Sequence, residues 1–200
     1  MTKLAVITDV HADVHALRDA LAQIDKLGIE KVLCCGDLID YGLFPEETLT
    51  LLRERQVVTI RGNHDRWALK EGHDMSGWDL TSKSIAYLES LPTHWRTRID
   101  DVRVVLAHGR PESDMQGIGD DMPEHELEAI LSDAAADVLL VGHTHVPFVR
   151  RVGRSKRVVN PGALLRDPAP GVEVATPGTF AVLEIAHGHV RVDIRRAAGG

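Results

Sequence analysis

The sequence predicts an α/β protein in which two mixed β-sheets pack face to face, as a β-sandwich, and are flanked by helices. Three observations lead to this fold class. Apolar runs of strand length alternate with amphipathic segments through the first sixty residues, which is typical of βαβ units and a parallel sheet. Asp100 and Asp101 separate two strand-like runs and indicate a hairpin. Beyond residue 145 the segments are all strand-like, so the sheets are expected to be mixed.

The individual elements follow from residue spacing. In the first helix, Val14, Leu17 and Leu21 lie on one apolar stripe, and Gly28 is a typical stop signal. Pro45 suits the first turn of the second helix. Helices are predicted at residues 13–27, 45–55, 80–90 and 123–134. Strands are predicted at residues 4–8, 31–35, 57–60, 94–99, 102–107, 138–141, 146–151, 156–160, 179–185 and 189–195.

Length and composition fit one compact domain, residues 1–200. A hydrophobic content of 44% with 26% charged residues is typical of a soluble globular protein. No apolar run approaches the roughly 20 residues that span a bilayer, so no membrane contact is expected. The chain enters its first strand at once, and the adjacent Cys34 and Cys35 are interpreted as reduced thiols. A cytoplasmic location is therefore expected.

The net charge of -7 bears on the partners that the protein could bind. A protein that binds a long nucleic acid normally carries a basic surface, so the bulk charge opposes such a partner. The sequence does contain one basic cluster, formed by Arg150, Arg151, Arg154, Lys156 and Arg157. We interpret this cluster as the solvated tip of a hairpin or an oligomer contact.

Five segments at predicted strand ends carry residues that commonly bind metals. They are Asp9-x-His11, Gly36-Asp37, Gly62-Asn63-His64-Asp65, His108-Gly109 and Gly142-His143-Thr144-His145. Because the carboxyl ends of strands in an open α/β sheet converge on one crevice, these side chains are expected to meet. Carboxylate, amide and imidazole donors together are typical of a divalent transition-metal site. One such motif is weak, but five in order predict a metal centre.

This order of motifs resembles the calcineurin-like metallophosphoesterase superfamily, whose pattern runs D-x-H, GD, GNH-[DE], H and GHxH. The likeness spans residues 8–145 and extends to Asn160-Pro161-Gly162, which is similar to the NPG loop of that superfamily. The short chain is most similar to its small bacterial and archaeal phosphodiesterases. Tyr41 stands where protein serine/threonine phosphatases carry an arginine, which counts against a dedicated phosphoprotein phosphatase.

The resemblance implies two divalent metal ions. Manganese is expected, and iron, cobalt, nickel or zinc is also compatible with such ligands. The implied ligands are Asp9, His11 and His145 for one metal, Asn63, His108 and His143 for the other, and Asp37 as the bridge between them. A bridging carboxylate suits cations about 3.5–4 Å apart, the separation used in two-metal hydrolysis.

The implied reaction is hydrolysis of a small phosphodiester, nucleotides included, by attack of a metal-bridging hydroxide. His64 is the candidate general acid, and Asp65 is expected to orient its ring and favour the imidazolium form. One alternative is a phosphomonoesterase or protein phosphatase on the same dinuclear site. A nuclease similar to the Mre11 group fits less well, since the chain has no basic groove.

A further alternative is a metal-bound scaffold, as in the retromer subunit that shares this fold. The presence of His64 and of all seven ligands argues against that function. The sequence leaves the oligomeric state open, homo-oligomers included.

Three segments, at residues 66–77, 110–122 and 167–178, are predicted to be irregular loops. Functional residues concentrate on loops, so a role at the substrate entrance is a hypothesis beside that of simple connections. Arg61 and Arg110 each neighbour a motif, and we interpret them either as phosphate ligands or as surface residues.

Overall fold

The computed structural model describes residues 1–70, 80–166 and 178–197, and within them ten strands form two five-stranded sheets. The strands are β1 (Thr2–Ile7), β2 (Lys31–Cys34), β3 (Val58–Thr59), β4 (His94–Ile99), β5 (Val102–Ala107), β6 (Val138–Leu140), β7 (Phe148–Val152), β8 (Lys156–Asn160), β9 (Thr179–Ala186) and β10 (His189–Arg196). The helices are α1 (Val14–Lys26), α2 (Pro45–Glu54), α3 (Asn63–Ala68), α4 (Ser82–Ser90) and α5 (Glu124–Asp133). In this part of the chain, no helix has the length and apolar character needed to cross a bilayer.

Both sheets are mixed, which confirms the predicted fold class. The first sheet has the order β10-β9-β1-β2-β3, in which β1, β2 and β3 are parallel, β9 runs antiparallel to β1, and β10 runs antiparallel to β9. The second has the order β4-β5-β6-β8-β7, in which β5, β6 and β8 are parallel and the two edge strands run antiparallel. The hairpins predicted from the sequence, β4–β5 and β9–β10, supply antiparallel edges.

The main core lies between the two sheets. Leu4, Val6 and Leu33 of the first sheet share a buried cluster with Val104 and Leu140 of the second. The alternation of side chains along each strand sends the intervening residues to the outer faces. There α1, α2 and α4 cover the first sheet and α5 covers the second. The apolar stripe predicted for α1 packs in this way, and Asp13 caps the helix by accepting a hydrogen bond from the Ala16 amide.

Two predicted boundaries are wrong. Residues 66–68, predicted as the start of an irregular loop, form the second half of the short helix α3. The strand predicted at 146–151 begins only at Phe148, because Pro147 has no amide hydrogen for a ladder hydrogen bond. The rest of the first predicted loop, at 71–77, and most of the third, at 167–177, lie outside the described residues.

Candidate metal centre

Residues that follow parallel strands meet at one end of the sandwich. Asp9 follows β1 and Asp37 follows β2, whereas His108 follows β5 and His143 follows β6 in the other sheet. The loops that follow strands of the two sheets are in contact here, since the His143 amide donates to the Asp9 carboxylate at 3.1 Å. The structure brings together all seven predicted ligands, namely Asp9, His11, Asp37, Asn63, His108, His143 and His145.

Three of these side chains form a first group. His11 Nε2 lies 3.1 Å from His145 Nε2, and His145 Nε2 lies 3.3 Å from Asp9 Oδ1. The other ring nitrogen of His11, Nδ1, donates to the Ile39 carbonyl oxygen at 3.2 Å. This bond leaves the Nε2 lone pair directed into the group, as in histidines that bind metals. Donor atoms that face each other this closely fit a shared cation.

Three other side chains form a second group. Asn63 Oδ1 lies 2.9 Å from His108 Nε2 and 3.0 Å from His143 Nδ1. His108 Nδ1 donates to the Cys35 carbonyl oxygen at 2.8 Å, so that its Nε2 is again directed inwards.

Asp37 lies between the two groups. Its Oδ2 is 3.1 Å from His108 Nε2 and 3.7 Å from His11 Nε2.

The backbone around these side chains is strained. Asp9, His11, Asp37, His143 and His145 all have φ between +46° and +70°. Residues with a Cβ atom seldom adopt this left-handed region, and such strain is concentrated at functional sites. These conformations let the chain turn sharply after each strand and direct the side chains into one space.

Two glycines permit the close approach of neighbouring loops. Gly36 has φ +96°, and a Cβ atom there would lie 2.6 Å from the backbone nitrogen of Gly62. A Cβ atom on Gly142 would lie 2.1 Å from Thr8 Oγ1 and 2.6 Å from Asp9 Oδ2. Any larger residue at position 142 would therefore displace the Asp9 carboxylate.

Burial and charge act on the pKa values of the cluster in opposite directions. Burial would raise the pKa of Asp37, but the adjacent His108 holds that pKa well below its usual range. Burial would likewise lower the pKa of His108, yet the charge of Asp37 raises it to about 10. Burial lowers the pKa of His11 to about 4.

The charge balance of the cluster fits metal binding. Asp9 and Asp37 are both buried, and in the described part of the chain their ion-pair partners are histidines, with no Lys or Arg among them. A buried carboxylate is costly unless it is paired or coordinates a metal. A cation would supply the missing positive charge.

His64, the predicted general acid, lies at the start of α3. Its Nδ1 lies 2.7 Å from Asp40 Oδ2, and its Nε2 lies 3.9 Å from Asp37 Oδ2. Burial would lower the pKa of His64, but the hydrogen bond to Asp40 and the charge of Asp37 raise it above its ordinary value. The rings of Tyr41 and Trp67 pack against His64, with centroids 4.7 and 4.8 Å away.

The prediction that Asp65 orients His64 is wrong. The fully buried Asp65 carboxylate instead accepts hydrogen bonds from the backbone amides of Asp37, Leu38 and Gly62, at 3.0, 2.8 and 2.9 Å. Burial and the neighbouring Asp37 charge raise the pKa of Asp65 to about 6. Asp65 therefore ties together the loops that carry the ligands.

The carboxylate that contacts His64 is Asp40, a residue that our sequence analysis missed. The available signal was a second aspartate in the loop that follows β2, close to Asp37. Asp40 has φ +78° and also accepts a hydrogen bond from the Tyr41 amide at 2.8 Å.

Comparison with known proteins identifies the family. A model of the calcineurin-like phosphoesterase superfamily domain matches residues 2–188. The chain belongs to this superfamily. The match confirms the resemblance that the order of motifs indicated, and it makes the protein a member of a hydrolase family that uses divalent metals.

Several relatives resemble the chain over most of its length. The uncharacterized protein MJ0912 of Methanocaldococcus jannaschii is 28% identical over 224 residues, which cover 97% of this chain and 89% of the relative. The phosphodiesterase MJ0936 of the same organism is 26% identical over 165 residues, with 80% and 82% covered. The crystal structure of a metallophosphoesterase from Sphaerobacter thermophilus shares the fold, with a TM-score of 0.73, 23% identity, and 98% and 88% covered.

The donor atoms of this calcineurin-like phosphoesterase fall into overlapping sets of three. Each set has one donor atom per residue, and these atoms lie within 4.8 Å of one another. The sets are Asp9, His11 and His145; His11, Asp37 and His64; and Asp9, Asp37 and His108. Asp9, His11 and Asp37 each belong to two of these sets, and the mixed oxygen and imidazole donors fit divalent transition metals.

Proposed function

We propose that the protein is a dinuclear metal-dependent phosphodiesterase that hydrolyses small phosphodiesters, nucleotides included. The observation that carries the proposal is the position of Asp37. Its Oδ2 lies within 4 Å of a ring nitrogen from each group of donors, at 3.7 Å from His11 and 3.1 Å from His108. In the proposed site, Asp9, His11 and His145 would hold one cation, Asn63, His108 and His143 would hold the other, and Asp37 would be shared by both.

When bound, two divalent cations supply hydroxide near neutral pH and stabilise negative charge on the phosphate oxygens. The protein's own part is to place a proton donor. His64 Nε2 faces the candidate metal centre, 3.9 Å from Asp37 Oδ2, and its Nδ1 is hydrogen-bonded to Asp40. We assign His64 to protonation of the leaving oxygen.

Asp40, Tyr41 and Trp67 are positioning residues for His64. Asp40 raises its pKa and thereby favours the imidazolium form that can donate a proton. Packing on the Tyr41 and Trp67 rings restricts rotation of the imidazole. Asp65 acts one step further away, since it holds the backbone of Asp37 and its neighbours.

Two considerations support a diester substrate. The relative MJ0936, which is 26% identical, is named a phosphodiesterase. Tyr41 occupies the loop position at which the resemblance places an arginine in protein phosphatases, and that arginine would suit a doubly charged monoester. We propose manganese as the metal because carboxylate and amide oxygens suit it. Free, buried Cys34 and Cys35 support a reducing, cytoplasmic compartment.

The test is a hydrolysis screen of protein stripped of metal and reloaded with Mn, Fe, Co, Ni or Zn in turn. It compares bis(4-nitrophenyl) phosphate, 4-nitrophenyl phosphate and cyclic nucleotides. We expect no turnover without metal, strong recovery with Mn, and a higher kcat/KM for the diesters. A preference for the monoester would favour the alternative phosphomonoesterase. Absence of turnover with two metals bound would indicate a scaffold.

A further inference from the structure

A cavity of about 300 Å³ opens beside the candidate metal centre. The proposed ligand His108 lines it, together with Thr93, Arg110, Ser113 and Asp114. We call this cavity the Arg110 pocket. Its volume is at the lower end of the range for small-molecule sites, about 300–1,000 Å³. A substrate whose scissile phosphate sits at the metals could therefore extend a small group into the pocket.

The wall of the Arg110 pocket is fixed by hydrogen bonds. The Arg110 amide donates to the Gln116 carbonyl oxygen at 2.8 Å, and the Ser113 amide donates to the Arg110 carbonyl oxygen at 2.9 Å. The Arg66 guanidinium binds both oxygens of Asp114, at 2.6 and 3.0 Å. Since Arg66 lies on α3, this pair ties the wall to the helix that carries His64. The wall of the pocket is thus held in a fixed position relative to His64.

Charged groups of both signs surround the pocket, with Arg110 as the arginine of its lining and Glu112, Asp114 and Glu126 as its acidic neighbours. Arg66 compensates the charge of Asp114. Arg110 Nε is buried and has no hydrogen-bond partner within the described residues. Another nitrogen of the same guanidinium lies 3.8 Å from Glu126 Oε2, which is too far for a hydrogen bond. The Arg110 side chain is 28% exposed, so a ligand can reach its guanidinium, and the planar guanidinium suits a phosphate. The exposed Glu112 acts against it.

We infer that the Arg110 pocket binds a second phosphate group of the substrate. The preferred substrate is then a phosphodiester that carries a further phosphate beside the scissile one, and Arg110 is a specificity-determining residue. This inference rests on the proposed function, because it takes the scissile phosphate to lie at the metals next to His108. It adds a substrate class that the metal ligands by themselves do not define.

The test compares two esters that differ only in the second phosphate. They are thymidine 5′-(4-nitrophenyl phosphate) and the same compound with a 3′-phosphate, and the Mn-loaded protein is assayed with each. Calorimetry gives a readout that is independent of turnover. It measures the Kd of thymidine 5′-monophosphate and of thymidine 3′,5′-bisphosphate, and the ratio of the two Kd values is compared with the ratio of the two kcat/KM values. The variants are Arg110→Gln, Glu112→Gln and, as a matched control on the distant hairpin, Arg154→Gln.

We expect the wild type to prefer the compound with two phosphates at least about tenfold in both kcat/KM and Kd, since a hydrogen bond to a charged group contributes that much. Arg110→Gln should remove most of this preference, Glu112→Gln should increase it, and Arg154→Gln should leave it unchanged. Glu112 is exposed, so its replacement keeps the test valid even if Arg110→Gln fails to fold.

A wild-type ratio near one, or a ratio that neither variant changes, would overturn the inference. Failure of the proposed function has a different signature. In that case the wild type hydrolyses neither ester with any metal, whereas the ratio of the Kd values still reports on the pocket.

Discussion

A comparison of Asp65→Ala with Asp40→Ala distinguishes the aspartate that supports the backbone of the site from the aspartate that orients His64. In the structure the Asp65 carboxylate is fully buried and accepts three backbone hydrogen bonds, whereas Asp40 contacts the His64 ring. We therefore expect Asp65→Ala to lower the stability of the protein and its metal content together. Asp40→Ala should instead leave the metals bound and slow catalysis.

The expected magnitudes follow from the hydrogen bonds that each variant loses. Asp65→Ala leaves three buried amides without an acceptor, and each costs about 1–3 kcal/mol, so the free energy of unfolding should fall by about 3–9 kcal/mol. This is a large part of a typical domain's total of about 5–15 kcal/mol. The Asp40 side chain is 30% exposed and makes two hydrogen bonds, so that Asp40→Ala should cost only about 1–2 kcal/mol. Asp65→Asn retains one oxygen acceptor and should lie between these values.

Urea denaturation in the presence of chelator measures these differences without a contribution from bound metal. Metal analysis and kcat/KM for diesters with graded leaving groups complete the comparison. An Asp65→Ala protein as stable as the wild type would refute the proposed backbone role. Equal destabilisation by Asp40→Ala would show that the two aspartates have been assigned to the wrong functions.

Three further predictions concern the site itself. Asp37→Ala should weaken both metal positions, whereas Asn63→Ala should mainly weaken one; metal analysis of the purified variants checks this. His64→Ala should keep both metals and lower kcat/KM by about 10²–10⁴-fold, because it removes general acid catalysis, with the largest loss for basic leaving groups. Gly142→Ala should displace the Asp9 carboxylate and lower metal occupancy, as the added methyl group would lie 2.6 Å from its Oδ2.

Each of these predictions has a contrary outcome. Two metals at full occupancy in Asp37→Ala would contradict the bridge. An equal loss for all leaving groups in His64→Ala would mean that His64 positions the phosphate instead. For Gly142→Ala the matched control is Gly188→Ala, at a hairpin turn with φ +75° and nothing within 4 Å of an added Cβ atom. Gly188→Ala should change stability only; the same metal loss in both variants would exclude the steric explanation.

The fold, and the meeting of the seven candidate ligands, were predictable because each is encoded locally. A buried parallel strand is a short run of branched aliphatic residues, and its carboxyl end must lie beside those of its neighbours. Asp9 after β1 and His108 after β5 are therefore placed together by strand order. Boundaries were less accurate: α3 has only six residues and no apolar stripe long enough to mark it.

The partner of His64 could not be predicted from sequence adjacency. His64 and Asp65 are consecutive in α3, and successive residues of a helix do not face each other. Asp65 consequently points to the backbone amides of Asp37, Leu38 and Gly62, while His64 points to the candidate metal centre. Asp40 reaches His64 only because positive φ values at Asp40 and Tyr41 turn the loop after β2. Such conformations depend on tertiary contacts, which the residue pattern does not contain.

The most direct test of the central claim is anomalous diffraction from crystals of the Mn-loaded protein. The proposed site predicts two anomalous peaks about 3.5–4 Å apart, one on either side of the Asp37 carboxylate. The first should contact Asp9, His11 and His145, and the second should contact Asn63, His108 and His143. A single peak at full metal saturation, or two peaks that Asp37 does not bridge, would contradict the dinuclear centre.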